Sequence, residues 1–302
     1  MNKDFLSIAE LSRTEVMDLL TLADTLKVQK EIRPLQGKTV AMIFQKPSLR
    51  TRVSFEVGVI QLGGQAIFLT DDGVGLGVRE SAADVANVLS RFNDMIVARV
   101  FDHQLLVYLA KFAKIPVINA LSDLSHPCQI LADLYTIKQH GKLRDHVKVA
   151  YVGDGNNIVN SWLELATILP IHLTLAIPFG YEPDKMIYDK ALKANLSKIE
   201  IIRDPRNAVN KADVVYTDTW TSMGQEKEKT KRIFDFWEYQ VNGSLLRQAK
   251  KDVIVMHCLP AHRGEEITDE ALDGAQSVVN DQAENRLHIQ KAIMATLMKG
   301  RS

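Results

Sequence analysis

The chain has 302 residues, with 37 Lys and Arg against 37 Asp and Glu, so its formal net charge is zero. Hydrophobic residues make up 46% and charged residues 25%, which is ordinary for a globular protein and excludes a disordered or collagen-like chain. The length favours two domains, and the balanced charge offers no general attraction to nucleic acid or to an anionic membrane.

The two cysteines, Cys128 and Cys258, are too few for a disulfide framework and form no CxxC pair. A reducing, cytoplasmic location is therefore expected. Residues 1–10 carry charges and no long apolar stretch, so they do not predict a signal peptide. No run approaches the roughly 18–20 apolar residues that a membrane-spanning helix needs, so no membrane association is expected.

Short apolar runs alternate with longer amphipathic stretches along the chain. Eight runs predict strands that are apolar throughout, as in parallel strands covered on both faces. They are residues 39–44, 66–69, 95–100, 116–119, 147–152, 173–177, 214–218 and 253–257. This alternation predicts an α/β fold with two open, mostly parallel sheets of about four strands, and a single closed barrel is the alternative.

Helical patterns lie between these strands. They cover residues 55–62, 83–91, 105–111, 129–139 and 162–169, and a last helix covers 284–298. The polar stretch 139–145 contains a glycine and precedes a new strand, so we expect the domain boundary there. The first domain is then 1–140 and the second 141–283, and the last helix is free to pack on either.

The segment Lys46–Arg52 lies between a predicted strand and a predicted helix that begins near Ser54. Free N–H groups at a helix N-terminus form an anion site. The hydroxyls of Ser48 and Thr51 and the guanidiniums of Arg50 and Arg52 complete a candidate phosphate cradle. The alternative is a solvated, charged helix start.

Two further motifs follow strands. In His126–Gln129, Pro127 suits the first position of a helix, so His126 and Gln129 are expected at its mouth. Zinc spacing is absent, and a simple helix cap is the alternative. Gly153–Asn157 resembles the start of a dinucleotide fingerprint, but its third glycine is replaced by Ile158, which makes NAD binding a weak prediction. Asn157 suits an amino-acid headgroup instead.

The second half of the chain contains three more candidate segments. Asp218 ends a strand and precedes a glycine-bearing loop, where it is either an ammonium ligand or a turn residue. In His257–Pro260, Cys258 is a nucleophile, a proton carrier or a plain buried thiol. In Asp281–Arg286, Arg286 either reaches a ligand or pairs with a surface acid. Five of the six segments lie where open α/β sheets bind ligands.

Together with Arg99 in ARVFDH, these motifs resemble the aspartate/ornithine carbamoyltransferase family, and most closely its ornithine branch. The matching segments are Ser48–Arg52 with the following VSFE, HPCQ at 126–129, GDGNN at 153–157, DxxxSMG at 218–224, HCLP at 257–260 and AENR at 283–286. They occur in family order over nearly the whole chain.

The resemblance implies two similar domains, each with a central sheet flanked by helices and with the active site in the cleft between them. The first domain binds carbamoyl phosphate and is joined by the C-terminal helix, 284–302, and the second binds L-ornithine. The family forms trimers and needs no metal or organic cofactor. The implied reaction transfers the carbamoyl group to the δ-amine of ornithine, giving citrulline and phosphate, in arginine metabolism.

The resemblance also assigns roles to single residues. The implied carbamoyl phosphate ligands are Ser48, Leu49, Arg50, Thr51, Arg52, Arg99, His126, Gln129, Cys258, Leu259 and Arg286. The implied ornithine ligands are Asn157, Asp218, Ser222 and Met223. The residues expected to take part in catalysis are Cys258, Asp218, Arg99 and His126.

Two positions depart from the family pattern. Leu49 replaces the threonine of the usual S-T-R-T-R, a change that also occurs in relatives acting on acylated ornithines. Gly75 stands where a glutamine is usual, and Arg79 is a candidate substitute. A carbamoyltransferase for putrescine or for an N-acylated ornithine therefore remains an alternative. An NAD-dependent dehydrogenase and a non-catalytic amino-acid-binding protein are the alternatives of another class.

Overall fold

The computed structural model describes residues 1, 3–221 and 226–299, and the chain divides into two compact units. Unit 1 consists of Met1–Ala132 and the chain from Glu284 onward, and unit 2 consists of Asp133–Ala283. Both divisions fall inside continuous helices, Pro127–Gln139 and Val279–Met298. No helix among the described residues is long and apolar enough to cross a membrane.

Unit 1 is built on a four-stranded parallel sheet with the strand order β2-β1-β3-β4. Its elements are α1 (Arg13–Val28), β1 (Thr39–Phe44), α2 (Leu49–Gln61), β2 (Gln65–Thr70), α3 (Asp71–Val74), α4 (Ala82–Phe92), β3 (Met95–Arg99), α5 (His103–Phe112) and β4 (Val117–Leu121). The central strands β1 and β3 are almost wholly buried, as their uniformly apolar sequences predict. Helices α4 and α5 pack on this sheet through small and branched residues such as Ala86 and Leu106.

Unit 2 is built on a five-stranded parallel sheet with the order β7-β6-β5-β8-β9. Its elements, with the two helices that cross the divisions, are α6 (Pro127–Gln139), β5 (Val147–Val152), α7 (Asn157–Ala166), β6 (Ile171–Ala176), α8 (Lys185–Ala194), β7 (Lys198–Ile202), α9 (Pro205–Val209), β8 (Val214–Thr217), α10 (Lys229–Phe236), α11 (Gly243–Leu246), β9 (Ile254–His257), α12 (Asp269–Asp273) and α13 (Val279–Met298). Neither sheet closes on itself, so the α/β prediction is confirmed and the barrel alternative is wrong.

The search for continuous apolar runs did not predict strand β7, whose residues Lys198-Ile-Glu-Ile-Ile include both charged and apolar side chains. The strand lies at the edge of its sheet, where one side of the backbone and parts of both faces meet solvent. An edge strand needs no continuous apolar run, and this is why the pattern used for the buried strands does not detect it.

Several helices also differ from the prediction, and α3 and α8 to α12 were not predicted. Helix α1 was not predicted, although Ser12 and Glu15 form a capping box at its start. Helix α2 begins at Leu49 rather than near Ser54, because the Ser48 side chain accepts a hydrogen bond from the Thr51 N–H at 3.3 Å. Helix α13 begins five residues before the predicted Glu284.

Candidate active site

The segment after β1 places a helix N-terminus at the carboxyl edge of the unit 1 sheet. Strand β1 ends at Phe44, and Ser48 caps α2. The first turn of α2 therefore carries Leu49, Arg50 and Thr51, with backbone N–H groups that have no partner within the helix. A helix of this length presents a partial positive charge there, so the turn is suited to a phosphate group.

Two guanidiniums meet at the Thr51 hydroxyl. Arg99 lies at the end of β3 and donates from Nη1 to Thr51 Oγ1 at 3.3 Å. Arg286, on α13, donates from Nη2 to the same oxygen at 3.0 Å and from Nη1 to Gln129 Oε1 at 2.7 Å. All four side chains are buried. Their meeting creates a concentrated positive field that favours an anionic ligand.

His126 lies immediately before α6 and is 5% exposed. Burial lowers its pKa well below the ordinary value of 6.5, and the positive charges of Arg286 and Arg99 lower it further. The imidazole is therefore neutral at physiological pH. A neutral imidazole beside two guanidiniums can donate a hydrogen bond to a carbonyl oxygen without adding a third positive charge.

The structure does not join Arg52 to this cluster, although the sequence pattern treats it like Arg50. Its guanidinium lies over the Phe68 ring at 3.7 Å, and its Nε donates to Glu56 at 3.0 Å, one helical turn away. Leu49 also differs from the others, since its side chain is 73% exposed. Leu49 can therefore serve an anion through its backbone N–H alone.

The loop that departs from the family pattern has a backbone reason for its glycine. Gly75 follows α3 with a φ of 65°, in the left-handed region that favours glycine. A Cβ there would lie 2.7 Å from the Cβ of Arg79, so a glutamine would be strained. The Arg79 guanidinium donates to the Gly73 carbonyl at 2.6 Å, which holds it within its own loop.

In unit 2, Asp218 is the centre of a hydrogen-bond cluster at the carboxyl edge of the sheet. It follows β8 and is 8% exposed. Its Oδ1 accepts from the Cys258 thiol at 2.9 Å and from the Thr219 N–H at 2.8 Å. Its Oδ2 accepts from the Asn156 side chain at 2.8 Å. The carboxylate is thus fixed in orientation and suited to bind an ammonium group.

Sequence reasoning selected Asn157 from the glycine-rich turn and missed its neighbour Asn156. Asn156 caps α7 by accepting from the Ile158 N–H at 3.0 Å while its amide donates to Asp218. Asn157 occupies the first position of α7 and is half-buried. Gly155 is required because a Cβ at this position would collide with the Tyr181 carbonyl oxygen. Asparagine is a preferred N-cap residue, so its position directly before an apolar helix was the sequence feature that could have identified Asn156.

A buried pair holds the segment that contains Cys258. The Leu259 N–H donates to His257 Nδ1 at 2.8 Å, so Nδ1 is unprotonated and the proton resides on Nε2. That nitrogen contacts Glu266 at 3.0 Å, and both side chains are fully buried. Leu259 has a φ of 57°, an uncommon conformation for a branched residue, and this pair holds it there. Sequence reasoning did not identify Glu266.

An ion pair that the sequence analysis did not predict holds Trp220, two residues after Asp218. Arg232 donates to Asp154 at 3.0 Å and to the Trp220 carbonyl at 2.8 Å. Burial raises the pKa of Asp154 to about 6, although Arg232 opposes the shift. Ser222 and Met223, the other predicted ornithine ligands, lie outside the described residues.

Two family models match the chain almost completely. Residues 3–139 match the carbamoyl-P binding domain of aspartate/ornithine carbamoyltransferase, and residues 145–297 match its Asp/Orn binding domain. The chain belongs to this family. The resemblance predicted from the motifs is therefore confirmed, and the dehydrogenase alternative is wrong.

Individual members of the carbamoyltransferase family agree with this assignment. The ornithine carbamoyltransferase of Chlorobaculum tepidum is 52% identical over 303 residues, which cover 98% of this chain and 90% of that protein. The ornithine carbamoyltransferase of Syntrophus aciditrophicus is 52% identical and is covered completely, with 99% of this chain. A solved ornithine carbamoyltransferase structure from Pyrococcus furiosus has a TM-score of 0.93 at 48% identity, with 98% of this chain and 97% of that chain covered.

Two groups of side chains in this carbamoyltransferase bring potential metal ligands within 4.8 Å of one another. They are Asp218 with His257 and Cys258, and His262 with Glu265 and Glu266. Both ring nitrogens of His257 already form hydrogen bonds, and Cys258 donates to Asp218. In the second group, Glu265 pairs with Lys229 at 2.8 Å. Internal bonds therefore already engage much of each group.

Proposed function

We propose that this chain transfers the carbamoyl group of carbamoyl phosphate to the δ-amine of L-ornithine, giving L-citrulline and phosphate. The observation that carries the proposal is the meeting of Arg99 and Arg286 at Thr51, beside the N-terminus of α2. Thr51 and Arg99 lie within the residues that match the carbamoyl-P binding domain. The high identity to ornithine carbamoyltransferases over the full chain supports ornithine as the acceptor.

In this proposal, unit 1 holds carbamoyl phosphate. The first turn of α2, with Ser48, Arg50 and Thr51, holds the phosphate. The carbonyl oxygen is bound by Thr51, Arg99 and neutral His126, and negative charge grows on this oxygen as the amine attacks. Donors fixed in advance around such an oxygen usually supply the largest part of catalysis.

Unit 2 holds ornithine. Asp218 binds an ammonium group, and Asn157 with the segment around Ser222 and Met223 takes the rest of the amino-acid headgroup. The neutral δ-amine attacks the carbonyl carbon, the bond from that carbon to the bridging phosphate oxygen breaks, and the nitrogen releases a proton. In this proposal the hydrogen-bonded pair of Cys258 and Asp218, whose Sγ and Oδ1 are 2.9 Å apart, accepts or relays this proton.

The family trimer and a cytoplasmic location belong to the same proposal. Several large apolar residues of unit 1 are exposed on α2, β2 and α4, and an exposed apolar surface often marks a contact with a second chain. They include Leu49, Val53, Ile67, Val88 and Phe92. Cys128 and Cys258 form no disulfide, which suits a reducing compartment.

The test measures carbamoylated product from L-ornithine, putrescine and Nα-acetyl-L-ornithine at equal concentrations. A site that binds the free headgroup leaves buried polar groups unsatisfied when an analogue lacks those groups. We expect kcat/KM for ornithine to exceed the other two by at least about 100-fold. Leu49→Thr is the matched variant and should leave this ranking unchanged, since the Leu49 side chain is exposed. A faster reaction with N-acetylornithine would contradict the proposal.

A further inference from the structure

A cavity of about 240 Å³ in unit 1 contains none of the residues assigned to either substrate. It lies where the end of α1, the segment after it, the end of α2 and the middle of α13 come together. Its nine lining residues include three cations, Lys30, Arg33 and Lys291, and no carboxylate. The remaining wall is formed by amide and aliphatic side chains.

Lys291 is the buried cation among the residues that line this cavity, with 4% of the residue exposed. Its ammonium donates to the Leu26 carbonyl at 2.8 Å and to Gln61 Oε1 at 2.9 Å. Both acceptors are neutral, so these bonds orient the charge without cancelling it. An ammonium has three N–H donors, and these two bonds leave one for a ligand.

The surroundings of Lys291 disfavour a positive charge until an anion binds. Burial lowers the pKa of Lys291, and the nearby positive charge of Lys30 lowers it further. Lys30 and Arg33 line the same cavity and are exposed at its opening. A bound anion would turn this mutual repulsion into attraction for all three cations.

The cavity is larger than a bare inorganic anion, and part of its wall is apolar. The aliphatic residues that line it are Leu26, Ile32, Ile60 and Leu62. We propose that the cavity is a second ligand site, separate from the carbamoyl phosphate site, for a small organic anion with a phosphate or similar oxyanion and a compact apolar body. The oxyanion contacts Lys30, Arg33 and Lys291, and the body contacts the aliphatic wall.

The test is a calorimetric titration of the full-length protein with phenyl phosphate. Inorganic phosphate and phenol each represent one part of this molecule and serve as half-probes. An Arg50→Ala background weakens the first-turn cradle, so that remaining binding reports the second site. We expect the double variant Lys30→Ser/Arg33→Ser to weaken the binding of phenyl phosphate at least tenfold. Lys190→Ser/Lys193→Ser removes the same charge from exposed positions of α8 and should change it less than twofold.

Each half-probe should bind at least tenfold more weakly than phenyl phosphate. Lys291→Met should also abolish binding, and Ile60→Ser, at an exposed wall position, tests the apolar side if that variant does not fold. Equal affinity for inorganic and phenyl phosphate would overturn the organic ligand. Equal losses in the two double variants would overturn the site itself.

Discussion

At the scale of single residues, the environment of His126 determines how it can act. Its pKa lies well below the ordinary 6.5, chiefly because it is buried and secondly because Arg286 and Arg99 repel a third positive charge. The free energy of protonating the imidazole is therefore raised. Between pH 6.5 and 8 we therefore expect the imidazole of His126 to remain neutral.

Nitrogen-15 NMR of the imidazole over this pH range measures that state directly. The value of kcat/KM for carbamoyl phosphate should likewise not decrease as the pH is lowered through 6.5, where an exposed histidine would become charged. Titration of His126 near pH 6.5 would contradict the assignment.

Two arginines of unit 1 should respond differently to the same substitution. Arg286→Lys loses the planar fork that joins Thr51 and Gln129, since an ammonium cannot reproduce both bonds. Loss of one charged hydrogen bond predicts a decrease in kcat/KM for carbamoyl phosphate of roughly 10- to 100-fold. Arg52→Lys keeps a cation near Glu56 and should change it less than about threefold. Steady-state kinetics of the two variants would contradict this ranking if Arg52→Lys had the larger effect.

At the scale of secondary-structure elements, two N-caps offer a matched comparison. Ser48 caps α2 at the phosphate cradle, whereas Ser12 caps α1 through a capping box with Glu15. Substitution of either serine by alanine removes a partner from a helix N-terminus and should lower the free energy of unfolding by about 0.5–2 kcal/mol.

The two variants should nevertheless differ in catalysis. Only Ser48→Ala changes the turn that receives phosphate, so only this variant should raise KM for carbamoyl phosphate. Urea unfolding measures the stability of each variant, and initial rates measure KM. An equal KM for both would show that Ser48 acts on the helix alone.

At the scale of the whole molecule, we expect a trimer in solution. Ile67 lies on the edge strand β2 and is 44% exposed, so an aspartate there should weaken assembly by placing a charge in an apolar contact. Met186 of unit 2 is 80% exposed, and Met186→Asp is the control. Sedimentation equilibrium should give three times the chain mass for the wild type and the control. A monomeric wild type would contradict the expectation.

Much of the fold was predictable from the sequence because burial leaves a local trace. Strands such as β1 and β5 are covered on both faces, so nearly every residue in them is apolar. The edge strand β7 leaves a weaker trace, since solvent reaches it and permits Lys198 and Glu200. The positions of the chemically important segments also followed from the rule that parallel sheets bind ligands at their carboxyl edges.

The sequence by itself determined which side-chain types are present at those edges, including the arginines, His126, Asp218 and Cys258. Only the tertiary structure decided their partners. Arg286 forms a hydrogen bond with Thr51, which is 235 positions away in the chain. The Cys258 thiol forms one with Asp218, which is 40 positions away. Arg52, by contrast, is held by Glu56 four residues away. Local periodicity encodes whether a side chain is buried, but a contact between distant residues depends on how the elements pack, and no short window of sequence contains that information.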